Sequence, residues 1–152
     1  MTTTVHGVDD LETMVGRHLG YSEELVVDQE RIDRFADATG DHQWIHVDPE
    51  RAARGPFGTT IAHGYLTLSL VPVLLSQLLH VEGVALAVNY GCNKVRFPAP
   101  VPVGSALRLG ATLASVEHVE GGVQVVLDVV VEVAGADKPS CAAQVVYRYY
   151  RA

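Results

Sequence analysis

Charge is missing where a globular chain would normally carry some. From Gly55 to Val81 there is no Asp, Glu, Lys or Arg. A run of that length could span a bilayer. However, it holds Gly58, Thr59, Thr60, His63, Gly64, Thr67, Ser69, Pro72, Ser76 and Gln77, a polar load that is costly in lipid. A helix buried inside a soluble domain is the better reading, because a helix without a polar face needs apolar cover on nearly all sides. Basic residues are also few: 11 Lys and Arg against 18 Asp and Glu give a net charge of −7. Non-specific nucleic-acid binding depends on a basic face, so that function class is excluded. An anionic ligand is not excluded, since a few local cations can serve one. There are only two cysteines, Cys92 and Cys141, both in apolar strand-like stretches. They match no metal spacing and read as buried thiols of a reducing compartment. The opening MTTTVHGVDDLETM lacks the basic start and apolar run of a secretory signal, so a cytoplasmic location is expected.

Repeats, low-complexity segments and linkers are absent too. With 152 residues and 48% hydrophobic content, the chain is expected to form one domain over 1–152 with a substantial core. Residues 8–17 read as a short helix or an irregular lead-in, and 19–27 as a first strand. Asp28 is a plausible N-cap for a helix over 29–39, in which Ile32, Phe35, Ala36 and Thr39 recur at helical spacing. Gly40 then stands where a helix C-terminal glycine should stand. The segment from Asp41 to His46 reads as a loop. Asp48-Pro49-Glu50 restarts a short helix that ends near Gly55-Pro56. Residues 64–80 form the charge-free helix, with a kink expected at Pro72, which cannot donate to the Leu68 carbonyl.

Beyond Gly83 the period changes. Four valine-rich runs, 84–97, 103–118, 122–134 and 140–150, are separated by turn signals. In the third, Val123, Val125, Leu127, Val129, Val131 and Val133 share one face. Consecutive strands with short turns imply an antiparallel sheet, so the class is α+β. A sheet wrapped around the charge-free helix would account for its lack of a polar face.

The stretch GDHQWIHVDPERA, residues 40–52, raises the question of function. Asp41 and His46 stand just past a helix end, where the fold has no evident need of them. Taken singly, each has a plain reading: Asp41 caps a turn, His46 is a packed or exposed histidine, and Gly64 is a packing glycine. Taken together, FADATGDHQWIHVDPERAARGPFGTTIAHGYLTLSLVP resembles the signature of the MaoC-like dehydratases, the (R)-specific enoyl-CoA hydratases. The resemblance runs from about Tyr21 to Tyr149. It rests on the Asp-x4-His spacing, the Asp-Pro that follows, and the His-Gly at the start of the charge-free helix. NKVRFPAPVPVG, residues 93–104, looks like the family's second stretch, near the substrate. Two positions depart from the usual pattern. Gln43-Trp44 stands where Asn-Pro is commonest. Pro72 stands where many members carry a serine that supports the acid, and Ser69 is the nearest substitute.

The resemblance implies a single hot-dog fold: an antiparallel sheet wrapped around a long central helix, with an inserted loop and short-helix segment carrying the active site. It further implies acyl-CoA, or an acyl carrier protein thioester, as substrate; coenzyme A only as part of that substrate; no other cofactor; and a homodimer. Asp41 and His46 would be the catalytic pair, and the Gly64 backbone N–H would hold the thioester oxygen. Hydration of an enoyl thioester needs a proton taken from water, a proton given to the α-carbon, and donors for the negative charge on the carbonyl oxygen. A carboxylate and an imidazole sharing one water can manage both transfers. His46 is assigned to deprotonate the water, and Asp41 to orient it and protonate the α-carbon, although residue types alone leave that division open. An unpaired N–H at a helix start, with no Cβ in the way, suits the oxygen. His63 is expected to orient the loop or line the pocket, and Trp44 and Phe57 to be pocket, lid or core residues. Among Arg51, Arg54, Lys94, Arg96 and Arg108, the pair Lys94 and Arg96 is preferred for the phosphates, with solvated strand-edge charges as the alternative reading. His42, His46 and His63 lack the tight spacing of a metal site, so none is expected. Two other readings stay open: a hot-dog thioesterase, and a non-catalytic acyl-binding subunit of a larger dehydratase.

Overall fold

In a computed structural model, which describes residues 1–152, the chain begins with strand β1 (Thr3–Val5) and a 3₁₀ helix over Val8–Met14. The expected strand over 19–27 is two strands, β2 (His18–Tyr21) and β3 (Leu25–Val27). Both pair antiparallel with the same later strand, and a bend lies between them. Ser22 bridges the gap: its N–H donates to the Leu109 carbonyl at 2.8 Å, and its hydroxyl accepts the Leu109 N–H at 2.9 Å.

Helix α1 (Gln29–Thr39) has the caps its sequence predicts. The Asp28 carboxylate accepts the Arg31 N–H at 2.9 Å. Gly40 adopts φ 82°, a left-handed conformation that turns the chain out of the helix. Ile32 and Ala36 bury one face. The following segment is less irregular than expected, because Trp44–Val47 closes a helical turn, α2. α3 (Pro49–Ala53) follows, capped by Asp48.

The charge-free stretch is not one helix over 64–80. It forms α4 (Gly64–Ser69) and α5 (Val71–Leu75), jointed at Leu70. Pro72 is the reason for the joint: it lies in the first turn of α5, where a missing N–H breaks no bond. The helix then ends early, and Leu79–Val81 becomes strand β4, paired in parallel with β1. No helix is long and apolar enough to cross a membrane.

The four predicted strands are present as β5 (Val84–Arg96), β6 (Ser105–Val119), β7 (Gly122–Val133) and β8 (Cys141–Arg151). The sheet runs β2-β6-β7-β8-β5, antiparallel throughout, with β3 also on β6. Alternation sets its faces: Val123, Val125, Leu127, Val129 and Val131 are fully buried, while Asp128 and Val130 point outward. α4 and α5 lay Leu66, Leu70, Val71, Leu74 and Leu75 on that inner face. The sheet does not cover them on all sides. Tyr65 is 71% exposed and Val73 51%, because a single sheet offers cover in one direction only. Nor are both cysteines buried. Cys141 is, and burial pushes its thiol up to about 11, but Cys92 lies exposed on the open edge strand β5.

Candidate active site

The site forms where α1, α2 and the start of α4 meet. α2 is only four residues long and cannot stand alone. It is held from outside: the Ile45 carbonyl accepts the Ile61 N–H at 3.0 Å, and the His46 carbonyl accepts the Gln29 amide at 2.8 Å. Gln29 also accepts the Thr60 hydroxyl at 2.6 Å. One side chain in the first turn of α1 thus clamps α2 and the strap before α4.

That clamp places His46 inside, only 6% exposed. Its Nδ1 is 2.7 Å from the Ile61 carbonyl oxygen. A carbonyl can only accept, so Nδ1 carries the hydrogen and Nε2 is left as a bare acceptor. Burial lowers the His46 pKa, the neighbouring His63 adds to that, and the Ile61 bond and Asp41 oppose it. The ring is therefore kept neutral to lower pH than a free imidazole. Asp41 stands opposite on the exposed segment after Gly40. Only the Gln43 N–H approaches its carboxylate, at 3.4 Å, so the oxygens remain open to other partners. The ligand atoms of Asp41, His46 and His63 lie within 4.8 Å of one another. A water bonded to two groups at a tetrahedral angle spans about 4.6 Å. A carboxylate oxygen and a ring nitrogen within that distance of one another can share one water.

His63 completes the cluster. It is 3% exposed, its ring stacks on His46 at 3.8 Å between centroids with a 22° tilt, and its Nε2–H donates to the Asp41 carbonyl at 2.9 Å. These three residues are a poor metal cage. An ion must lie in the plane of each ligating ring, about 2.0–2.1 Å from its nitrogen, and stacked rings have no such common point. His42, grouped with the other histidines in sequence, instead pairs with Asp37 on the surface.

Gly64 follows His63 as the first residue of α4, so its N–H has no acceptor within the helix. A Cβ there would stand 2.8 Å from the Phe97 ring, which explains the glycine. Gly64, Phe57, Phe97 and the 98–101 turn line a cavity of about 380 Å³. This joins the two motif stretches, 40–64 and 93–104. The Trp44 ring lies under the Arg51 guanidinium at 4.3 Å and presses on Gly55, so it packs the α2–α3 turn. Ser69 does not support Asp41: its hydroxyl donates to the Tyr65 carbonyl at 2.6 Å, and it lines a different cavity with Pro72, Asn89 and Cys92. Lys94 and Arg96 share a face, as alternation predicts, and line a groove with Asp128 and Gln144 rather than the Gly64 cavity. Gln29, Thr60 and Phe97 carry no sequence signal for their roles, since each acts across a fold contact.

The model of the MaoC like domain family matches residues 10–134. A 3-hydroxyacyl-thioester dehydratase Z of Mycobacterium tuberculosis is 56% identical over 147 residues, which is 96% of this chain and 97% of that protein. Nodulation protein N of Rhizobium leguminosarum is 44% identical over 138 residues, 88% of this chain and 85% of its own. Among solved structures, the unliganded (R)-hydratase PhaJ1 of Pseudomonas aeruginosa superposes with a TM-score of 0.73 at 22% identity, over 96% of this chain and 86% of that one, a likeness of fold. A family match over most of the chain, a close relative over nearly all of it and a hot-dog superposition agree: this chain belongs to the MaoC-like dehydratase family.

Proposed function

We propose that this protein adds water to trans-2-enoyl-CoA to give (R)-3-hydroxyacyl-CoA, or runs the reverse dehydration. The observation that carries this reading is the open Asp41 carboxylate and the buried His46 ring, whose ligand atoms lie within 4.8 Å of one another, with His63 of the same cluster directly preceding Gly64 at the start of α4. In hydration His46 Nε2 takes a proton from the water as its oxygen attacks the β-carbon. Electron density moves through the α-carbon onto the thioester oxygen, where the Gly64 N–H stabilises it. The proton that His46 has taken passes through the Asp41 carboxyl group to the α-carbon as the carbonyl re-forms, which returns both side chains to their starting states. The reaction needs no cofactor and no metal. The name of the Mycobacterium relative, a 3-hydroxyacyl-thioester dehydratase, supports the substrate class. Lys94 and Arg96 are assigned to the coenzyme A phosphates, and an acyl carrier protein thioester is the other form of substrate. An exposed, unpaired Cys92 suits a reducing cytoplasm.

The test is loss of enoyl-thioester absorbance with crotonyl-CoA and a longer trans-2-enoyl-CoA, with chiral analysis of the product. An (R)-3-hydroxy product is expected. Release of free thiol would make the protein a thioesterase, and inertness toward both would make it an acyl-binding subunit. The pH profile follows from His46. The ring must be neutral to act as base, and its pKa is lowered, so the acid limb of kcat/KM is expected below pH 6.5, the value of an unperturbed imidazole. A limb above that value would remove His46 as the base.

The active form in this reading is a homodimer. β5 is an edge strand, exposed along nearly its whole length, and presents Leu86, Val88 and Tyr90. An edge this long and apolar invites another strand. A second copy meets it with the same edge across a two-fold axis. Light scattering is expected to give twice the 16.3 kDa chain mass. A single-chain mass at micromolar concentration would reject the dimer.

A further inference from the structure

We infer that His63 is the positioning residue of the catalytic pair, holding the Asp41 loop through its Nε2–H and the His46 ring through its face. This rests on the reading above, that Asp41 and His46 act on one water. His63 touches both. Its bond to the Asp41 carbonyl, at 2.9 Å, is shorter than the other two that restrain this loop residue: 3.3 Å from the Asp41 N–H to the Thr39 hydroxyl and 3.4 Å from the Gln43 N–H to the carboxylate. The His46 side chain has a single hydrogen bond, at Nδ1. A ring hung from one bond can still tilt, and the His63 ring stacked on its face prevents this. His63 is itself held by the Phe35 ring of α1, edge-on at 4.9 Å. The stack therefore ties α1, α2 and the start of α4 into one unit, and Gly64 is the next residue.

The remaining nitrogen points the same way. His63 Nδ1 is buried and has no partner. A buried acceptor without a donor costs stability. Leucine or phenylalanine would fill the space without that cost. What they lack is the N–H that reaches Asp41, and leucine lacks the flat face as well.

The test separates the two contacts. His63→Phe keeps the face and loses the N–H. His63→Gln keeps an N–H and loses the face. His63→Ala loses both. On crotonyl-CoA, the alanine variant is expected to lose about 10²-fold in kcat with KM nearly unchanged, as for a misplaced catalytic group. The other two should lose about 10-fold each. In an Asp41→Asn background the alanine change should cost little more, because the group it positions is already gone. A folded His63→Ala enzyme with full kcat would overturn the inference. So would a loss that is equally large in the Asp41→Asn background. If the native enzyme is inert on thioesters, the functional reading fails and ring ¹⁵N NMR decides the inference alone. His46 should show the Nδ1–H tautomer in the native protein and exchange between tautomers in His63→Ala. An unchanged spectrum would overturn it.

Discussion

His46→Ala and Asp41→Asn are each expected to lower kcat by at least ~10²-fold, the usual contribution of a positioned proton-transfer group. The two should differ in their effect on stability. Asp41→Asn keeps the shape of the side chain and leaves the His63 bond to the backbone carbonyl untouched. Asn can hold a water but cannot relay a proton to the α-carbon, so the melting temperature should stay near native while activity falls. His46→Ala removes a buried ring, its bond to Ile61 and the stack on His63, so some stability should be lost as well. The double variant should be hardly worse than either single one, because in the proposed reaction the two groups act on one water and the second removal disables a site already disabled. Crotonyl-CoA kinetics beside thermal melts followed by circular dichroism check this. Full activity in folded Asp41→Asn would return that residue to a plain turn-capping role.

Gly64→Ala is expected to cost about 10²-fold in kcat/KM without unfolding the protein, the scale of an active-site shift of about 1 Å. The new methyl group would stand 2.8 Å from Phe97 Cδ2 and 3.0 Å from Cε2 and Cγ, so it meets the face of the ring. Either the ring moves or the helix start does, and the helix start carries the N–H proposed to receive the oxyanion. Loss of such a donor is typically worth ~2.7–4 kcal/mol. Alanine is at least as good a helix former as glycine, so a drop in activity would not reflect a weaker helix. The double variant Gly64→Ala/Phe97→Ala removes the collision and should recover at least ~10-fold. If it recovers nothing, steric pressure from Phe97 is not what requires the glycine.

Local chemistry was readable in the residues. The ends of α1 follow from Asp28 and Gly40, because caps act within one turn of the chain. α3 follows from Asp48-Pro49 for the same reason. The faces of β7 follow from alternation, because a strand's side chains point to opposite sides in turn. The proposed catalytic pair, Asp41 and His46, follows from the resemblance of their motif to the family signature. The helix expected over 64–80 is instead two short helices and a strand, for an equally local reason. Its composition shows burial, but nothing within residues 76–81 reveals that β1, some seventy residues upstream, will claim Leu79–Val81 as a strand. β1 and β4 are three residues each, too short to carry a period.

Other features depended on what lies opposite in space. Cys92 looks buried in sequence because β5 is apolar, yet whether an apolar strand is covered depends on the next layer, and this chain supplies none along that edge. Ser69 is the nearest substitute for the serine that Pro72 replaces, but its hydroxyl closes on its own helix, as serine can wherever the carbonyl four residues back is in reach. The residues that aim the site, Gln29, Thr60, His63 and Phe97, meet their partners across 17 to 31 positions or between motif stretches. Caps, periods and a catalytic spacing are short-range properties, and a linear chain displays them. Which ring stacks on His46, which carbonyl sets its tautomer and which face stays uncovered are settled only when distant segments pack, because each is a property of a pair of segments and neither member of the pair records it alone.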